Sequence, residues 1–450
     1  MIAFVTTCKG RTAHLEKTLP KNMVDNAGYA DLRFVVLDYG DSEELARYLK
    51  GVHELNIASG YLTVYNFPHP GSFRMAHAKN MAHRLGMIEG ADILVNVDAD
   101  NFTGPGFASY VAEKFRQPKT FLGPGNLRGQ GKKFRGCSGR IACTAQQFLN
   151  VGGYDERFET WSPDDMDFNF RLQNSGYSVI EIDRQFLQAI PHNDGLRFRE
   201  YPHALPCSDD PNADPYATVR RPPAASCIVN YGRIGCGVVY RNFCAEPIEL
   251  RPVPTRIFGI GLHKTATTSL HVALCTLGYD SAHWPSGDWA RDIWDEMNAG
   301  GRSKTLERSY ALSDLPICLL YQKLDAAYPG SKFILTVRDE SKWIESVRAH
   351  WSYERNPHRW EWDTYPISNR LHQALYGRKT FDAEVFLSRY REHNAEVLRY
   401  FGSRVGAWGR SEYSDLLVMD MDAGADWTEL CHFLGKPVPR VPYPKEYQTQ

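Results

Sequence analysis

The sequence predicts an α/β protein of two domains, each built around a central, mainly parallel β-sheet. Short apolar runs alternate with amphipathic stretches over residues 1–195, and the same alternation starts again at residue 257. A segment rich in Pro and Asp separates the two parts. A chain of 450 residues is also long for a single core, because domains usually contain about 100–200 residues.

In the first half, three apolar runs predict buried parallel strands, at residues 2–7, 33–38 and 92–98. Amphipathic stretches predict helices around residues 12–26, 42–50 and 74–89. Ligands bind at the carboxyl ends of the strands in sheets of this kind. Polar residues follow the predicted strands at that edge, among them Asp38, Asp98 and Asp100, so we expect a functional site there.

A change of composition marks the boundary between the domains. We assign residues 1–245 to the first domain, with a core of 1–195 and an accessory loop and hairpin over 196–245. Residues 246–256 contain several prolines and are predicted to be a linker. The second domain then covers 257–450, with predicted strands at 257–261, 332–339 and 416–422.

Composition excludes some classes of function. The 52 basic and 53 acidic residues nearly cancel, which argues against a dedicated nucleic-acid-binding protein. No apolar run approaches the ~20 residues that span a bilayer, and the N-terminus does not read as a signal peptide. We therefore expect a cytoplasmic protein whose membrane contact, if any, is peripheral. None of the ten cysteines forms a C-x-x-C pair, which favours reduced thiols.

The triplet Asp98-Ala99-Asp100 follows an apolar strand directly. Two carboxylates one residue apart at a strand end can face one hard cation, and Mg²⁺ or Mn²⁺ can in turn bind the oxygens of a diphosphate. Taken alone, such a triplet also suits a solvated turn. The motif gains weight from its neighbours in the chain.

Four segments carry a resemblance to the GT-A-fold glycosyltransferases of the family-2 type. In chain order they are TTCKGRTAHLEKTLP, VVLDYGDSEEL, FRMAHAKNMAHRLGMIEGADILVNVDADN and GGYDERFETWSPDDMDFNFRLQNSG. The resemblance covers most of residues 1–195 and implies a GT-A fold. It also implies metal-dependent, inverting transfer of a sugar from a nucleotide-diphosphate donor, a UDP-sugar, to a glycan or glycolipid hydroxyl.

The same resemblance implies the residues that bind the donor. They are Arg11, Asp38, Arg74, Lys79 and Asp98. Asp38 and Arg11 would contact the nucleotide, whereas Arg74 and Lys79 would hold the diphosphate. Asp100 would ligate Mn²⁺ or Mg²⁺, and Asp98 would bind ribose or the metal and its water. His192 is either a further metal ligand or a structural histidine.

On the acceptor side, the resemblance assigns Asp165 as the general base that takes the proton of the acceptor hydroxyl. Asp164 would orient the acceptor sugar. The paired-acid motif of the family often begins with Glu, so the aspartate at 164 leaves the acceptor geometry open. Trp161 either stacks on an acceptor ring or belongs to the core.

In the second half, the turn from Gly259 to Ser269 lies between a predicted strand and a predicted helix. Such a turn directs backbone N–H groups and the positive end of the helix toward an anion, and Lys264 adds a cation. The turn is a poor match to a nucleoside-triphosphate loop, because Phe258 and His263 stand where that motif requires glycines. We therefore predict a phosphate or phosphosulfate site of another kind.

This turn resembles the 5′-phosphosulfate loop of sulfotransferases that use 3′-phosphoadenosine-5′-phosphosulfate (PAPS), and KFILTVRDESKWIESV resembles their 3′-phosphate element. The resemblance implies a P-loop-like domain with a central parallel sheet. It implies a PAPS-binding set of Lys264, Thr265, Ala266, Thr267, Thr268, Ser269, Arg338 and Ser346. Lys264 would stabilise the charge on the bridging oxygen during sulfuryl transfer.

Two residues are candidates for the base of the sulfotransferase half. His283 follows the next predicted strand, and Asp314 lies in the segment SDLP. Each also has a structural alternative, because His283 is able to pack in the core and Asp314 is able to cap a helix. The sequence leaves both assignments open.

The leading hypothesis is a bifunctional enzyme that builds a sulfated glycan, with small-molecule donors and no nucleic-acid partner. A second hypothesis keeps one half catalytic and makes the other a glycan- or nucleotide-binding docking module. A nucleotidyltransferase would carry a glycine-rich loop near the N-terminus, where this chain has only Gly10.

Overall fold

The computed structural model describes residues 1–69, 71–125, 136–158, 164–191, 228–284, 286–352, 366–402, 415–424 and 426–445. The chain divides into two compact units, Met1–Val253 and Pro254–Gln450. Each unit has a central sheet flanked by helices, which confirms the predicted α/β class.

The first unit begins as the sequence predicts and continues with shorter elements. Its strands are β1 (Ile2–Cys8), β2 (Leu32–Asp38), β3 (Leu62–Asn66), β4 (Ile93–Asn96), β5 (Asn101–Phe102), β6 (Thr120–Gly123), β7 (Ala142–Thr144), β8 (Ser178–Glu181), β9 (Gln188–Ala189), β10 (Gly237–Arg241) and β11 (Pro247–Leu250). Its helices are α1 (Thr12–Asn26), α2 (Glu43–Val52), α3 (Glu54–Ala58), α4 (Met75–Ile88), α5 (Phe107–Lys114), α6 (Ala145–Asn150) and α7 (Asp164–Asn174).

Within the described residues, nine strands of this unit form one sheet in the order β11-β10-β3-β2-β1-β4-β7-β6-β8. The four adjacent strands β3, β2, β1 and β4 run parallel to one another. In the register, Cys8 lies opposite Asp38, and Asp38 lies opposite Asn66. The polar strand ends therefore meet at one edge of the sheet, as the sequence predicts.

The alternation of side chains along β1 explains why this strand lies at the centre. Ile2 and Phe4 pack in one core with Leu15 of α1, whereas Ala3 and Val5 pack on the opposite face in a second core. Helix α4 covers that second face. Both faces of the parallel strands are thus buried, which accounts for their almost continuous apolar sequences.

The edge of the sheet extends into the stretch predicted as a linker. Strand β11 pairs antiparallel with β10, and β10 pairs antiparallel with β3. The first compact unit ends after Val253. Residues 247–250 therefore form one strand of a hairpin. Some of the prolines that suggested a linker lie at this edge of the sheet, where proline is tolerated.

The second unit has a five-stranded parallel sheet among its described residues, in the order β13-β14-β12-β15-β16. The strands are β12 (Ile257–Gly259), β13 (Ser281–His283), β14 (Ala311–Ser313), β15 (Lys332–Val337) and β16 (Leu416–Asp420). The helices are α8 (Thr267–Thr276), α9 (Gly287–Asn298), α10 (Tyr321–Ala327), α11 (Glu340–Trp351), α12 (Pro366–Tyr376), α13 (Ala383–Gly402) and α14 (Trp427–Leu434). Because β12 lies between β14 and β15, a crevice is expected at its carboxyl end.

No helix in the described parts of the chain is both long enough and apolar enough to cross a bilayer.

A buried ion pair fixes α7 in the first unit. Arg171 Nε lies 2.7 Å from Asp167 Oδ2, and both side chains are 1% exposed. Arg171 also donates from Nη1 to the carbonyl of Val151 at 2.8 Å. The ion pair is internal to α7, and the hydrogen bond to Val151 attaches this helix, which begins with Asp164 and Asp165, to the rest of the unit.

We expect Asp167→Ala to lower the free energy of unfolding by about 3–5 kcal/mol, because it leaves a buried guanidinium without its carboxylate. Urea unfolding followed by far-UV circular dichroism measures this loss. The exposed pair of Arg251 and Glu249 in the same unit is the control, with side chains 70% and 57% exposed. Glu249→Ala should cost less than about 1 kcal/mol, and equal losses in the two variants would contradict the assignment.

Candidate functional site

Asp38 ends β2 and is buried, with 4% of its surface exposed. Its Oδ2 accepts hydrogen bonds from the backbone N–H of Ser42 at 2.8 Å and from Asn66 Nδ2 at 3.5 Å. Its Oδ1 has no hydrogen-bond partner among the described residues. Burial raises the pKa of Asp38 to about 6. The free oxygen can accept an N–H or O–H group of a ligand.

An aromatic cluster beside Asp38 was not predicted from the sequence. The ring of Tyr39 lies 5.0–5.8 Å, centroid to centroid, from the rings of Phe67, His69, Phe73 and His77. Lys9 Nζ donates to the carbonyls of His69 at 3.3 Å and Gly71 at 2.5 Å. These contacts tie the segment between β3 and α4 to the end of β1. The closely spaced rings of the sequence YNFPHPGSF are the signal that points to the cluster.

The predicted arginines lie at helix starts on the same edge. Arg11 immediately precedes α1, and its Nη1 lies 3.4 Å from His14 Nδ1. Arg74 immediately precedes α4 and is half-buried. Both positions are close in sequence to the carboxyl ends of strands, where the fold directs N–H groups toward a ligand.

Asp98 and Asp100 lie on one turn after β4. The turn is closed by a hydrogen bond from the backbone N–H of Asn101 to the carbonyl of Asp98, at 2.9 Å. Asn96 Nδ2 donates to Asp98 Oδ1 at 3.0 Å, and Asn101 Nδ2 donates to Asp100 Oδ1 at 2.9 Å. Burial and the nearby charge of Asp100 raise the pKa of Asp98, while Lys79 opposes the shift. The two carboxylates therefore share one electrostatic environment.

The acid pair of α7 meets these residues across a bare glycine. A Cβ atom built on Gly139 would lie 2.7 Å from Asp98 Oδ2 and 3.1 Å from Asp165 Oδ2. Because Gly139 has no side chain, the space between the two carboxylates stays open. Sequence reasoning missed Gly139, since its position between the acids depends on the antiparallel strand β7 that follows it.

Lys79 contacts both acids at the start of α7. Its Nζ lies 2.9 Å from Asp164 Oδ2 and 2.5 Å from Asp165 Oδ1. The sequence predicts that Lys79 holds the donor diphosphate, whereas the structure directs its ammonium group at the acid pair. Burial chiefly, with a like-charge contribution from Asp164, raises the pKa of Asp165 to about 7, and Lys79 limits that rise.

The carboxylates at this edge of the sheet fit a hard divalent cation whose remaining ligands come from water and a substrate. Asp98 and Asp100 supply carboxylate oxygens, and Mg²⁺ or Mn²⁺ completes its coordination with water and phosphate oxygens. No group of three or more His, Cys, Asp or Glu side chains arranged to hold a metal ion occurs in the described ranges. The two other residues predicted here, His192 and Trp161, lie outside the described residues.

In the second unit, the turn between β12 and α8 has an unusual backbone. Lys264 and Ala266 have φ angles of +67° and +65°, in the left-handed region. Such a turn directs consecutive N–H groups into one concavity and forms an anion-binding nest. Gly261 is required because a Cβ atom there would lie 2.1 Å from Thr336 Oγ1. The turn thus packs directly against β15.

The hydroxyl groups of this turn contact different parts of the unit. Thr265 Oγ1 donates to the carbonyl of Leu262 at 2.6 Å and lies 2.7 Å from Thr336 Oγ1, so it holds the turn in place. Thr267 Oγ1 and Thr268 Oγ1 lie 3.0 and 3.4 Å from His283 Nε2. Ser269 is buried in the first turn of α8. Thr267 and Thr268 thus face His283, whereas Thr265 is directed inward.

His283 and Asp314, predicted as alternative bases, lie side by side. His283 ends β13 and pairs in register with Ser313 of β14, immediately before Asp314. His283 Nε2 is 3.3 Å from Asp314 Oδ2. Asp314 has a φ angle of +74°, an uncommon backbone conformation for a residue other than glycine. The structure therefore forms an imidazole–carboxylate pair next to the turn.

Arg338 links the end of β15 to the same turn. Its Nη1 donates to the carbonyl of Lys264 at 3.3 Å, and its Nε lies 3.6 Å from Asp422 Oδ2. Burial, together with the charge of Arg338, lowers the pKa of Lys264, and Asp314 opposes the shift. Ser346 lies half-buried on α11. Arg338 thus lies against the backbone of the turn that carries Lys264.

Comparison with known families identifies the class of the protein. Residues 256–450 match the model of a sulfotransferase domain, and residues 116–193 match a model described as the N-terminal domain of galactosyltransferase. Both models describe transferase domains, a glycosyltransferase-like domain followed by a sulfotransferase domain, which confirms the prediction of these two classes.

Individual relatives are distant. "Ava biosynthesis cluster protein M" of Aspergillus versicolor is 24% identical over 222 residues, which cover 42% of this chain and 79% of that protein. A mannosyltransferase from Pyrobaculum calidifontis, solved with GDP-Man and Mn²⁺, is 17% identical with a TM-score of 0.35, covering 42% of this chain.

The chain spans 57% of that mannosyltransferase. The catalytic domain of Drosophila beta1,4-galactosyltransferase 7, solved with xylobiose, is 14% identical with a TM-score of 0.33, covering 50% of this chain and 82% of that chain. With TM-scores of this size, the assignment rests on the family models and on the geometry of the sheets.

We expect Gly261→Ala to destabilise the second unit by about 3 kcal/mol, because the added methyl group would overlap Thr336. Differential scanning calorimetry of the full chain measures the fall in Tm. Gly402→Ala in α13 is the matched control, since a Cβ atom there has no neighbour within 4 Å. Equal melting temperatures for the two variants would show that the turn does not pack against β15 as described.

Proposed function

We propose that the chain is a bifunctional enzyme of sulfated glycan biosynthesis. One unit transfers a sugar from a nucleotide sugar in a metal-dependent, inverting reaction, and the other transfers a sulfuryl group from PAPS to a carbohydrate hydroxyl. One observation carries this proposal. Each unit has a candidate base at the carboxyl edge of a parallel sheet: Asp165, whose Oδ2 faces Asp98 across Gly139, and His283, whose Nε2 lies 3.0 Å from Thr267 Oγ1 in the turn that contains Lys264.

In the glycosyltransferase unit, Asp38 accepts a hydrogen bond from the base or ribose of a UDP-sugar, with Arg11 close to the nucleotide. Arg74, at the start of α4, faces the diphosphate, where the positive end of the helix adds to its charge. Asp98 and Asp100 would hold Mn²⁺ or Mg²⁺, with His192 as a further ligand. Such a cation would supply positive charge to the leaving diphosphate.

Asp165 is the general base of this unit. Its Oδ2 takes the proton of the acceptor hydroxyl as that oxygen bonds to the anomeric carbon and the bond to the diphosphate breaks. Base and leaving group lie on opposite faces of the sugar, so the configuration inverts. Asp164 orients the acceptor, and Trp161 offers a ring on which an acceptor sugar stacks.

In the sulfotransferase unit, the N–H groups of the turn at 261–268 bind the 5′-phosphosulfate, with Thr267, Thr268 and Ser269 as the hydroxyl donors. Arg338 and Ser346 bind the 3′-phosphate, the arginine through its planar fork of N–H groups. Lys264 neutralises the bridging oxygen as the bond from that oxygen to sulfur breaks. This use of positioned cations parallels phosphoryl transfer.

His283 is the base of the sulfuryl transfer. The imidazole takes the proton of the acceptor hydroxyl while that oxygen bonds to sulfur, and the carboxylate of Asp314, 3.3 Å from Nε2, stabilises the imidazolium that forms. The acceptor is a glycan or glycolipid. We place the enzyme in the cytoplasm, with peripheral membrane contact if the acceptor carries a lipid.

Asp100→Ala should reduce metal-dependent glycosyl transfer by about 10²-fold or more and leave sulfuryl transfer intact, because it removes a ligand of the cation. Lys264→Ala should do the reverse, because it removes the cation beside the leaving oxygen. The measurements are nucleotide release from a panel of nucleotide sugars with Mn²⁺ and release of the 3′,5′-bisphosphate from PAPS.

Asp183→Ala and Lys323→Ala serve as controls, because each changes an exposed residue of the same type in the same unit as its test variant. If Asp100→Ala keeps full nucleotide release, the cation site is assigned incorrectly. If one unit of the wild-type protein does not turn over its own donor but still binds the nucleotide, that unit acts as a docking module.

Glycosyl transfer should lose about tenfold in rate for each pH unit below about 7, because the base acts in its ionised form and burial raises the pKa of Asp165 to about 7. An exposed aspartate would keep its activity down to about pH 4. The measurement is kcat/KM for the donor with Mg²⁺ between pH 5 and 9. A flat profile down to pH 5 would exclude a base with a raised pKa.

A further inference from the structure

Lys79 is a buried cation that the proposed reaction does not yet use. Its side chain is 2% exposed, and its Nζ contacts the carboxylates of Asp164 and Asp165. The ring of Tyr154 covers it at 5.1 Å. Burial opposes the charge, but the two aspartates hold the pKa of Lys79 well above its usual value. Desolvating an ammonium group costs several kcal/mol, so the pairing with both acids compensates a large penalty.

The helix that carries Lys79 is a rigid support. Its neighbours Ala78, Met81 and Leu85 are fully buried in the core beneath β1 and β4. Asn80, the next residue, bonds to Tyr154 in both directions. Its Nδ2 donates to the Tyr154 carbonyl at 2.8 Å, and its Oδ1 accepts from the Tyr154 N–H at 2.7 Å. Two consecutive residues of α4 thus fix both Tyr154 and the acid pair.

The contacts of Lys79 also distinguish the two oxygens of Asp165. Lys79 bonds to Oδ1, whereas Oδ2 faces Asp98 across Gly139. A carboxylate fixed through one oxygen presents the other in a constant direction. The oxygen that would take the proton is therefore the one that Lys79 leaves open.

From these contacts we infer that Lys79 is a positioning residue, which clamps the acid pair to α4 and directs Asp165 Oδ2 toward the acceptor hydroxyl, and that it does not bind the donor diphosphate. This inference rests on the proposed glycosyl transfer with Asp165 as the base. It assigns the donor diphosphate to Arg74 and the acceptor side to Lys79, five residues apart on α4.

Lys79→Met tests the inference, because the two roles predict different measurements. If Lys79 positions the base, the Kd for UDP with Mn²⁺, measured by calorimetry, stays within about twofold of wild type, while kcat for transfer falls by about 10²-fold. The KM for the donor stays unchanged. If Lys79 binds the diphosphate, the Kd rises tenfold or more, as we expect for Arg74→Ala, and the inference is overturned.

Two further variants separate positioning from folding. Lys79→Arg keeps the charge and should recover part of kcat, and the double variant Lys79→Met with Asp164→Asn restores the charge balance if the single variant does not fold. Full activity in a folded Lys79→Met protein would overturn the inference. So would a double variant that folds but binds UDP with Mn²⁺ tenfold more weakly.

Asp165→Asn distinguishes failure of the inference from failure of the proposed function. If Asp165→Asn keeps full transfer, the assigned base is wrong and the proposed mechanism fails with it. If Asp165→Asn is inactive while Lys79→Met is fully active, only the positioning role fails. If both are inactive, Lys79→Met should cause no further loss in the Asp165→Asn background, because both act through one group.

Discussion

The organisation of the first unit depends on the electrostatic cost of gathering carboxylates at a buried sheet edge. Asp98, Asp164 and Asp165 surround one lysine, and burial together with the like charge of Asp164 raises the pKa of Asp165. Lys79 balances the acid pair through direct contacts. The buried Arg140 opposes the shift of Asp98 from a greater distance. The charge that remains on the D-x-D turn is what a divalent cation would neutralise.

The second unit gathers positive charge, instead of negative charge, at the carboxyl edge of a parallel sheet. Lys264 lies in the turn after β12 and Arg338 directly follows β15, both at this edge, and the left-handed turn adds backbone N–H groups. Arg338 fixes the carbonyl of Lys264, while Asp422 partly balances its charge. The site is thus prepared for an anion, and a glycine at 261 allows the turn to pack against β15 closely enough to hold that geometry.

The sequence predicted the long, buried strands and the local motifs, and missed what depends on strand order. β1, β2 and β15 are continuous apolar runs, so their pattern is clear, whereas β6, β7 and β8 have only three or four residues each. The D-x-D turn and the turn at Lys264 are local in sequence. The contact of Lys79 with Asp165 joins residues 86 apart, and no spacing rule predicts it. The proposed role of each site residue remains a prediction.

In the proposed mechanism, helix α4 would keep the donor and acceptor groups at a constant separation. Arg74 immediately precedes the helix and Lys79 lies five residues later, which is a rise of about 7 Å along the axis. The helix is fixed to the sheet by its buried face, and Asn80 fixes it to Tyr154. In that mechanism, a base clamped to Lys79 would keep its distance from a diphosphate bound at Arg74 whatever the acceptor, because one rigid element sets this distance.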